Sequence, residues 1–236
     1  MKSNLRFVVP PKEDVARAAA LAATALLNSP PYRYACGESA DVQPEYRQRF
    51  LQFLFSKNFE LARRHGFLQC AYEDQELVCF LLLAPQGEGA PAPSFCDLLR
   101  SGLLGSIVRF GLRPTLAILR ITMWVEGIEQ EILQGRSTLR VEGMGVLPSR
   151  QGLGIGSSTL QHALRQSDVE GLDVFLTTQD RRTVLFYERL GFKVVREEVY
   201  PPAGFCNWFM LRPSPAGQSS PSFSGSSTTL SATEPV

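Results

Sequence analysis

The stretch richest in chemistry runs Val146-Leu147-Pro148-Ser149-Arg150-Gln151-Gly152-Leu153-Gly154-Ile155-Gly156-Ser157-Ser158. A strand-like segment enters it, and an amphipathic helix leaves it with Leu160, Ala163 and Leu164 as its buried face. Glycines at such a junction let the backbone turn sharply and gather several N–H groups. With the positive end of the following helix, those groups make a place for phosphate oxygens. Ser158 and Gln161 have capping-box spacing, which predicts a helix start there. A turn of this kind also forms for steric reasons alone, so the glycines by themselves leave a ligand-free turn open. Two phosphate loops are set aside. There is no Gly-x-x-x-x-Gly-Lys-Ser/Thr, and Gly152-x-Gly154-x-Gly156 lacks the dinucleotide spacing Gly-x-Gly-x-x-Gly.

Other chemistries have few residues to work with. The five cysteines (Cys36, Cys70, Cys79, Cys96 and Cys206) include no C-x-x-C pair, and His65 and His162 are the only histidines. That argues against a zinc site and against a disulfide framework. No metal is expected. Cys70 and Cys79 lie in apolar runs and read as small core residues.

Two segments together carry a family resemblance. Val146, Pro148, Gln151, Gly154 and Gly156 resemble motif A of the GNAT acetyltransferases, Val-x-Pro-x-x-(Gln/Arg)-x-x-Gly-x-(Gly/Ala), without insertion or deletion. Val184-Leu185-Phe186-Tyr187-Glu188-Arg189-Leu190-Gly191-Phe192 resembles motif B, and Asn207 to Arg212 resembles the family's last strand. The resemblance covers roughly residues 5 to 212 and is strongest from 140 to 195. It implies acetyl-CoA as acyl donor and an amine as acceptor, a small molecule or a peptide amine, in an N-acetyltransferase reaction. Met144 and Val146 would lie along the pantetheine arm, with an N–H near Val146 polarising the thioester. Gln151, Gly152, Leu153, Gly154, Ile155, Gly156 and Ser157 would present N–H groups to the pyrophosphate. Tyr187 would protonate the departing thiolate, which a phenol of pKa ~10 can do. Packing over the Gly191 turn is the other role open to Tyr187. Glu142 would serve as base toward the amine; an ion pair with Arg140, which shares its face in a regular strand, or with a neighbour, or simple exposure, is its plainer role.

Two positions depart from the family pattern. Leu153 stands where a Lys or Arg is frequent, leaving Arg150 as the loop's only base. Asp180 stands where an Asn often precedes motif B, and an acid is unfavourable beside phosphates. A second reading, an acyl-CoA-binding GNAT-fold module that transfers weakly or not at all, stays open.

These residues need a scaffold to position them. Leu5–Val9 reads as a strand stopped by Pro10 and Pro11, followed by an alanine-rich helix from Asp14 to about Asn28 that Pro30 and Pro31 end. A second helix is predicted over about Glu45–Arg64 and closed by Gly66. Phe67–Tyr72 and Glu76–Leu83 read as a hairpin around an acidic turn. A helical insert, about 93–135, is predicted to be divided by Pro114. Its Arg109 and Arg113 lie one turn apart, as an anion-binding face or as the solvated face of a covering helix. Then come a strand (Ser137–Val146), a helix (Gly154–Glu170), a strand (Val174–Thr177), a helix (Thr183–Leu190) and a closing strand pair (Lys193–Val199, Phe205–Leu211). Alternation of this kind argues for a layered α/β (α+β) domain. The resemblance implies more: a mixed, mostly antiparallel sheet flanked by helices. The expected domain spans residues 1–212. Residues 213–236 are rich in Ser, Thr, Pro and Gly, and their composition predicts a disordered tail.

Composition bounds the rest. The chain has 236 residues, 44% hydrophobic, with 24 basic and 23 acidic side chains and a formal net charge of +1. That balance predicts no nucleic acid and no membrane as partner. Arg109, Arg113 and Arg120 break the most apolar stretch, Gly102–Val125, so it is not expected to span a bilayer. With no signal-peptide pattern at the N-terminus and cysteines expected to be reduced, the reading is a cytoplasmic protein, monomer or homodimer.

Overall fold

In a computed structural model, residues 5–37, 44–86 and 103–215 are described. The elements are β1 (Leu5–Val8), α1 (Val15–Ala25), α2 (Pro30–Cys36), α3 (Pro44–Arg64), β2 (Leu68–Glu73), β3 (Glu76–Gln86), α4 (Leu103–Phe110), α5 (Leu112–Leu133), β4 (Thr138–Val146), α6 (Ile155–Glu170), β5 (Asp173–Thr178), α7 (Arg181–Glu188), β6 (Lys193–Val199) and β7 (Cys206–Arg212). The seven strands form one sheet in the order β1-β2-β3-β4-β5-β7-β6. All neighbouring pairs are antiparallel except β4 with β5. This is the mixed, mostly antiparallel sheet flanked by helices that was expected.

Helices cover both faces. Over one face, Ala18, Ala19 and Ala22 of α1 and Phe50, Leu51 and Phe59 of α3 pack on Leu68, Phe80 and Leu82 of the sheet. The alanines of α1 allow close approach, and the sheet answers with glycine. A Cβ at Gly145 of β4 would sit 2.5 Å from the Phe80 ring and 2.8 Å from Ala25. Farther along that face, Ile121, Val125 and Ile128 of α5 pack on Phe175 and Phe209. On the opposite face, Leu160, Ala163 and Leu164 of α6 meet Leu81, Leu83, Val141 and Leu176. Buried apolar side chains of this size each contribute roughly 1.5–3 kcal/mol.

Several boundaries differ from the sequence reading, each for a local reason. Pro30 and Pro31 do not merely end a helix; they occupy the first positions of α2, where a missing N–H costs nothing. Gly111 (φ 88°), not Pro114, divides the insert, and Pro114 sits buried in the first turn of α5. Ser158 is not the cap of α6: Gly154 (φ 79°) precedes the helix, and the Ser158 N–H already donates to the Gly154 carbonyl at 3.0 Å. The acidic turn does close the β2–β3 hairpin, with positive φ at both Asp74 (46°) and Gln75 (72°). The start of the expected insert, up to residue 102, and the tail from residue 216 lie outside the described residues. Beyond Arg212 the chain keeps to the domain briefly: Ser214 is buried and its N–H donates to Asp173 at 2.8 Å.

Candidate active site

The site begins with a strand pair that parts. β4 and β5 run side by side only from Thr138↔Asp173 to Val141↔Leu176. Beyond Val141, β4 pairs with β3 alone, while Thr177 and Thr178 of β5 pair with β7 alone. A bulge marks the parting. Leu82 pairs with Gly143 and Leu83 with Val141, so Glu142 has no register partner on β3. A bulged residue bends its strand and re-aims its side chain. Into the gap opens a cleft of roughly 1040 Å³, lined by β4 from Arg140 to Val146, by the glycine turn and by α7.

At one end lies the glycine turn. Gly152 and Gly154 both have φ 79°, in the left-handed region that disfavours a side chain. Gly156 sits close to the strand for a different reason: a Cβ there would stand 3.2 Å from Val146 Cγ2, a tight contact. The first turn of α6 is thereby pressed against β4. The Gln151 side chain ties the turn to the strand, its Nε2 donating to the Val146 carbonyl at 3.2 Å. Of the residues expected here, Gln151, Gly152, Gly154, Ile155, Gly156 and Ser157 line the cleft, as do Met144 and Val146. Leu153 does not: its side chain is 64% exposed and outside the lining.

The cations of this end differ from the expectation. Arg150 is ion-paired to Glu73 (3.1 Å) and Glu76 (3.0 Å) of the β2–β3 hairpin. Arg181, Arg182 and Arg189 also line the cleft and form no ion pair among the described residues. Asp180 has its own task as the N-cap of α7, its carboxylate accepting from the Arg182 N–H at 2.9 Å. The acid at that position is thus used by the helix, and the arginines after it bring positive charge to the cleft. The Arg-Arg pair directly after Asp180 was the signal for this in the sequence.

Tyr187 is buried and lines the cleft from α7. Its ring packs edge-on against Phe186 and Phe192, with centroids 5.1 and 5.6 Å away. Its carbonyl accepts from Leu190 (2.9 Å) and Phe192 (3.2 Å), closing the Gly191 turn. Burial raises its phenol well above the ordinary tyrosine value, with the Cys79 thiol adding to the effect. The packing role and a place in the cleft therefore coincide in one residue.

The other end is built by α2, α5 and β4. Pro30, Pro31 and Tyr32 of α2 and Ile118, Ile121 and Val125 of α5 line the cleft, as does the exposed Glu142. Burial raises the Tyr32 phenol to about 12, with the charge of Glu142 contributing. Arg140 does not pair with Glu142. It reaches Glu129 of α5 at 3.1 Å, a carboxylate that is 2% exposed and that burial raises to about 7. Gln86, with its amide oriented to suit both partners, donates to Glu129 (2.8 Å) and accepts from Arg140 (3.0 Å). Neither Tyr32 nor Glu129 was singled out in the sequence, because neither lies near a motif. No group of His, Cys, Asp and Glu among the described residues could hold a metal. No helix among them is long and apolar enough to cross a membrane.

A sheet that parts beside a glycine turn and a helix N-terminus frames this cleft. Residues 120–194 match the family model of the acetyltransferase (GNAT) domain. Solved structures agree in fold. The chain is similar to a histone acetyltransferase HPA2 and related acetyltransferase from Corynebacterium glutamicum (16% identity, 89% of this chain and 96% of that one, TM-score 0.60). It is also similar to the Drosophila melanogaster polyamine N-acetyltransferase that forms N-acetylagmatine (14% identity, 89% and 100%, TM-score 0.58). A third is arylalkylamine N-acetyltransferase 2 from Aedes aegypti (11% identity, 89% and 99%, TM-score 0.57).

Proposed function

We propose that the protein transfers acetyl from acetyl-CoA to a primary amine carried on an apolar or aromatic body. The observation that carries this reading is the parting of β4 from β5 at the Glu142 bulge, with the glycine turn at one end of the cleft and an apolar slot at the other. The first N–H groups of a helix have no intrahelical partner. Those of α6, with Arg181 and Arg182, suit the pyrophosphate. The Met144–Val146 edge, which has lost β5 as partner, offers main-chain groups to the pantetheine arm and an N–H to the thioester oxygen.

The amine nitrogen attacks the thioester carbon, and the carbonyl oxygen becomes an oxyanion held by N–H donors. The C–S bond then breaks. The Tyr187 hydroxyl gives its proton to the thiolate sulfur, and the attacking nitrogen gives up its extra proton, which restores the phenol, leaving the N-acetyl amine and CoA. The raised phenol of Tyr187 keeps that proton available throughout the physiological range. Attack requires a neutral amine, so Glu142, directly or through water, takes the ammonium proton.

The acceptor class follows from the slot. Its walls are Pro30, Pro31, Tyr32, Ile118, Ile121 and Val125, with Glu142 as the carboxylate at that end among the described residues. A single ammonium on an apolar body satisfies it, as in the arylalkylamines named for one structural relative. A second cation, as on agmatine, would find only Asp180 as a further carboxylate in the lining, and that one already caps α7. The test is a panel of arylalkylamine, agmatine, polyamine and peptide N-terminus, followed by CoA thiol release. Preference for the arylalkylamine by ~10-fold or more in kcat/KM is expected. Preference for the dications sinks the acceptor class. Acetyl-CoA binding by calorimetry without release to any amine favours the non-transferring module.

A further inference from the structure

We propose that the exposed face of α5, with the α4–α5 corner, docks on an anionic lipid surface. The helix has two apolar faces. One packs inward through Pro114, Ile121, Val125 and Ile128. On the other, Leu112 (55% exposed), Leu119 (38%) and Met123 (62%) lie within about 40° of one another at helical spacing, and Val108 of α4 (89%) adjoins them. An apolar stripe on a helix is normally covered. This one has nothing over its outer face among the described residues.

Charge identifies the occupant. From Leu103 to Val125 the chain has Arg109, Arg113 and Arg120 and no Asp or Glu; the next residue, Glu126, is exposed one turn beyond Met123 and ends the stripe. Arg113 and Arg120 are exposed, seven residues apart, on the same flank of the apolar stripe. They form no ion pair among the described residues. Arg109 reaches over the Phe53 and Phe110 rings at 5.9 Å. On α3, Arg49 and Lys57 lie one turn to either side of Phe53, the residue that meets Gly105 of α4. An apolar stripe with arginines along one flank is the pattern of a helix lying in the plane of an anionic lipid headgroup layer. The overall charge of +1 conceals it, because the acids of α5 begin only at Glu126. The same helix walls the acceptor slot with Ile118, Ile121 and Val125, so docking would set the slot immediately behind the lipid surface. The inference stands on the outer face of α5 and is independent of the acceptor reading.

The test uses the full chain and sedimentation with vesicles of phosphatidylcholine alone or with one third phosphatidylserine. Binding to the anionic vesicles ~10-fold or more above the neutral ones is expected, falling as salt is raised. Arg113→Glu with Arg120→Glu should lose that preference, and Leu119→Ser with Met123→Ser should weaken binding to both vesicles. All four side chains are exposed, so melting temperature and acetyl-CoA affinity should hold in either variant. Equal or absent binding to the two vesicle types overturns the proposal. A dimer in solution that Leu119→Ser with Met123→Ser dissociates, without vesicle binding, also overturns it and assigns the face to a second copy.

Discussion

Arg140 sets its guanidinium against Glu129 of the insert helix, 3.1 Å away, and leaves Glu142, two positions along its own strand, without an ion-pair partner among the described residues. The bulge makes this possible by re-aiming Glu142. The pairing does two things at once: it anchors α5 to β4, and it leaves the cleft carboxylate available to an amine.

That buried pair gives a pH-dependent stability. Glu129 is raised from 4.5 to about 7 by burial, so its neutral form is favoured in the folded protein. The corresponding stability is fully present below about pH 4.5 and is lost as pH rises through 7. Glu129→Gln keeps a neutral partner for Arg140 and Gln86 at every pH. Melting curves from pH 5 to 8 should fall more steeply for the wild type than for the variant, by up to ~3 kcal/mol at pH 8. Parallel curves would mean that Glu129 stays ionised throughout.

The two kinds of glycine in the turn should fail differently. Gly154 has no atom within 4 Å of an added Cβ but has φ 79°. Gly154→Leu should cost about 1–2 kcal/mol in stability and abolish acetyl-CoA binding by filling the turn. Gly156→Leu drives into Val146, Met144 and Phe186, so it should lose more melting temperature as well as binding. Full acetyl-CoA affinity in Gly154→Leu, measured by calorimetry, removes the turn from the site.

Arg181 and Arg182, not Arg150, should carry the phosphate charge. Replacing both with Ala is expected to weaken acetyl-CoA by roughly 10-fold or more. Arg150→Ala loses only its half-exposed pairs with Glu73 and Glu76, with affinity within ~3-fold of wild type. The opposite order of effects, read by titration calorimetry, would return the role to the loop.

Tyr187→Phe removes a hydroxyl and keeps the ring against Phe186 and Phe192. Turnover should drop ~10²-fold or more while acetyl-CoA affinity and melting temperature hold. Because burial raises the phenol above 10, wild-type kcat should show no falling limb from Tyr187 up to about pH 10. Unchanged turnover in the variant takes the proton donor elsewhere.

Motif-bearing residues were legible in the sequence because their constraints are local. Glycine is favoured by φ at 152 and 154, and a small residue by contact at 156. The strands and helices around them follow hydrophobic period and were read nearly to their ends. What escaped depends on distant partners. Tyr32 joins the cleft only because α2 packs beside α5, and Pro30 and Pro31 read as a helix stop when they are a helix start. The partner of Arg140 could be guessed from its strand as Glu142, but a bulge is invisible in a sequence without its opposing strand. Leu112, Leu119 and Met123 lie in no motif; which face of their helix lies inward is a property of the packed domain.

The short parallel contact between β4 and β5 has a mechanical consequence. Four residue pairs stitch the sheet's two leaves together along that line, from Thr138 to Val141. The leaf of β1 to β4 holds the Met144–Val146 edge, and the leaf of β5 to β7 holds the elements that carry Tyr187 and the arginines. A molecule lying in the opening spans both leaves beyond the last stitch, like a strut across a hinge. Its arrival should therefore be felt at the stitching, as slower hydrogen exchange of the amides along Leu139–Val141, although none of them need touch it.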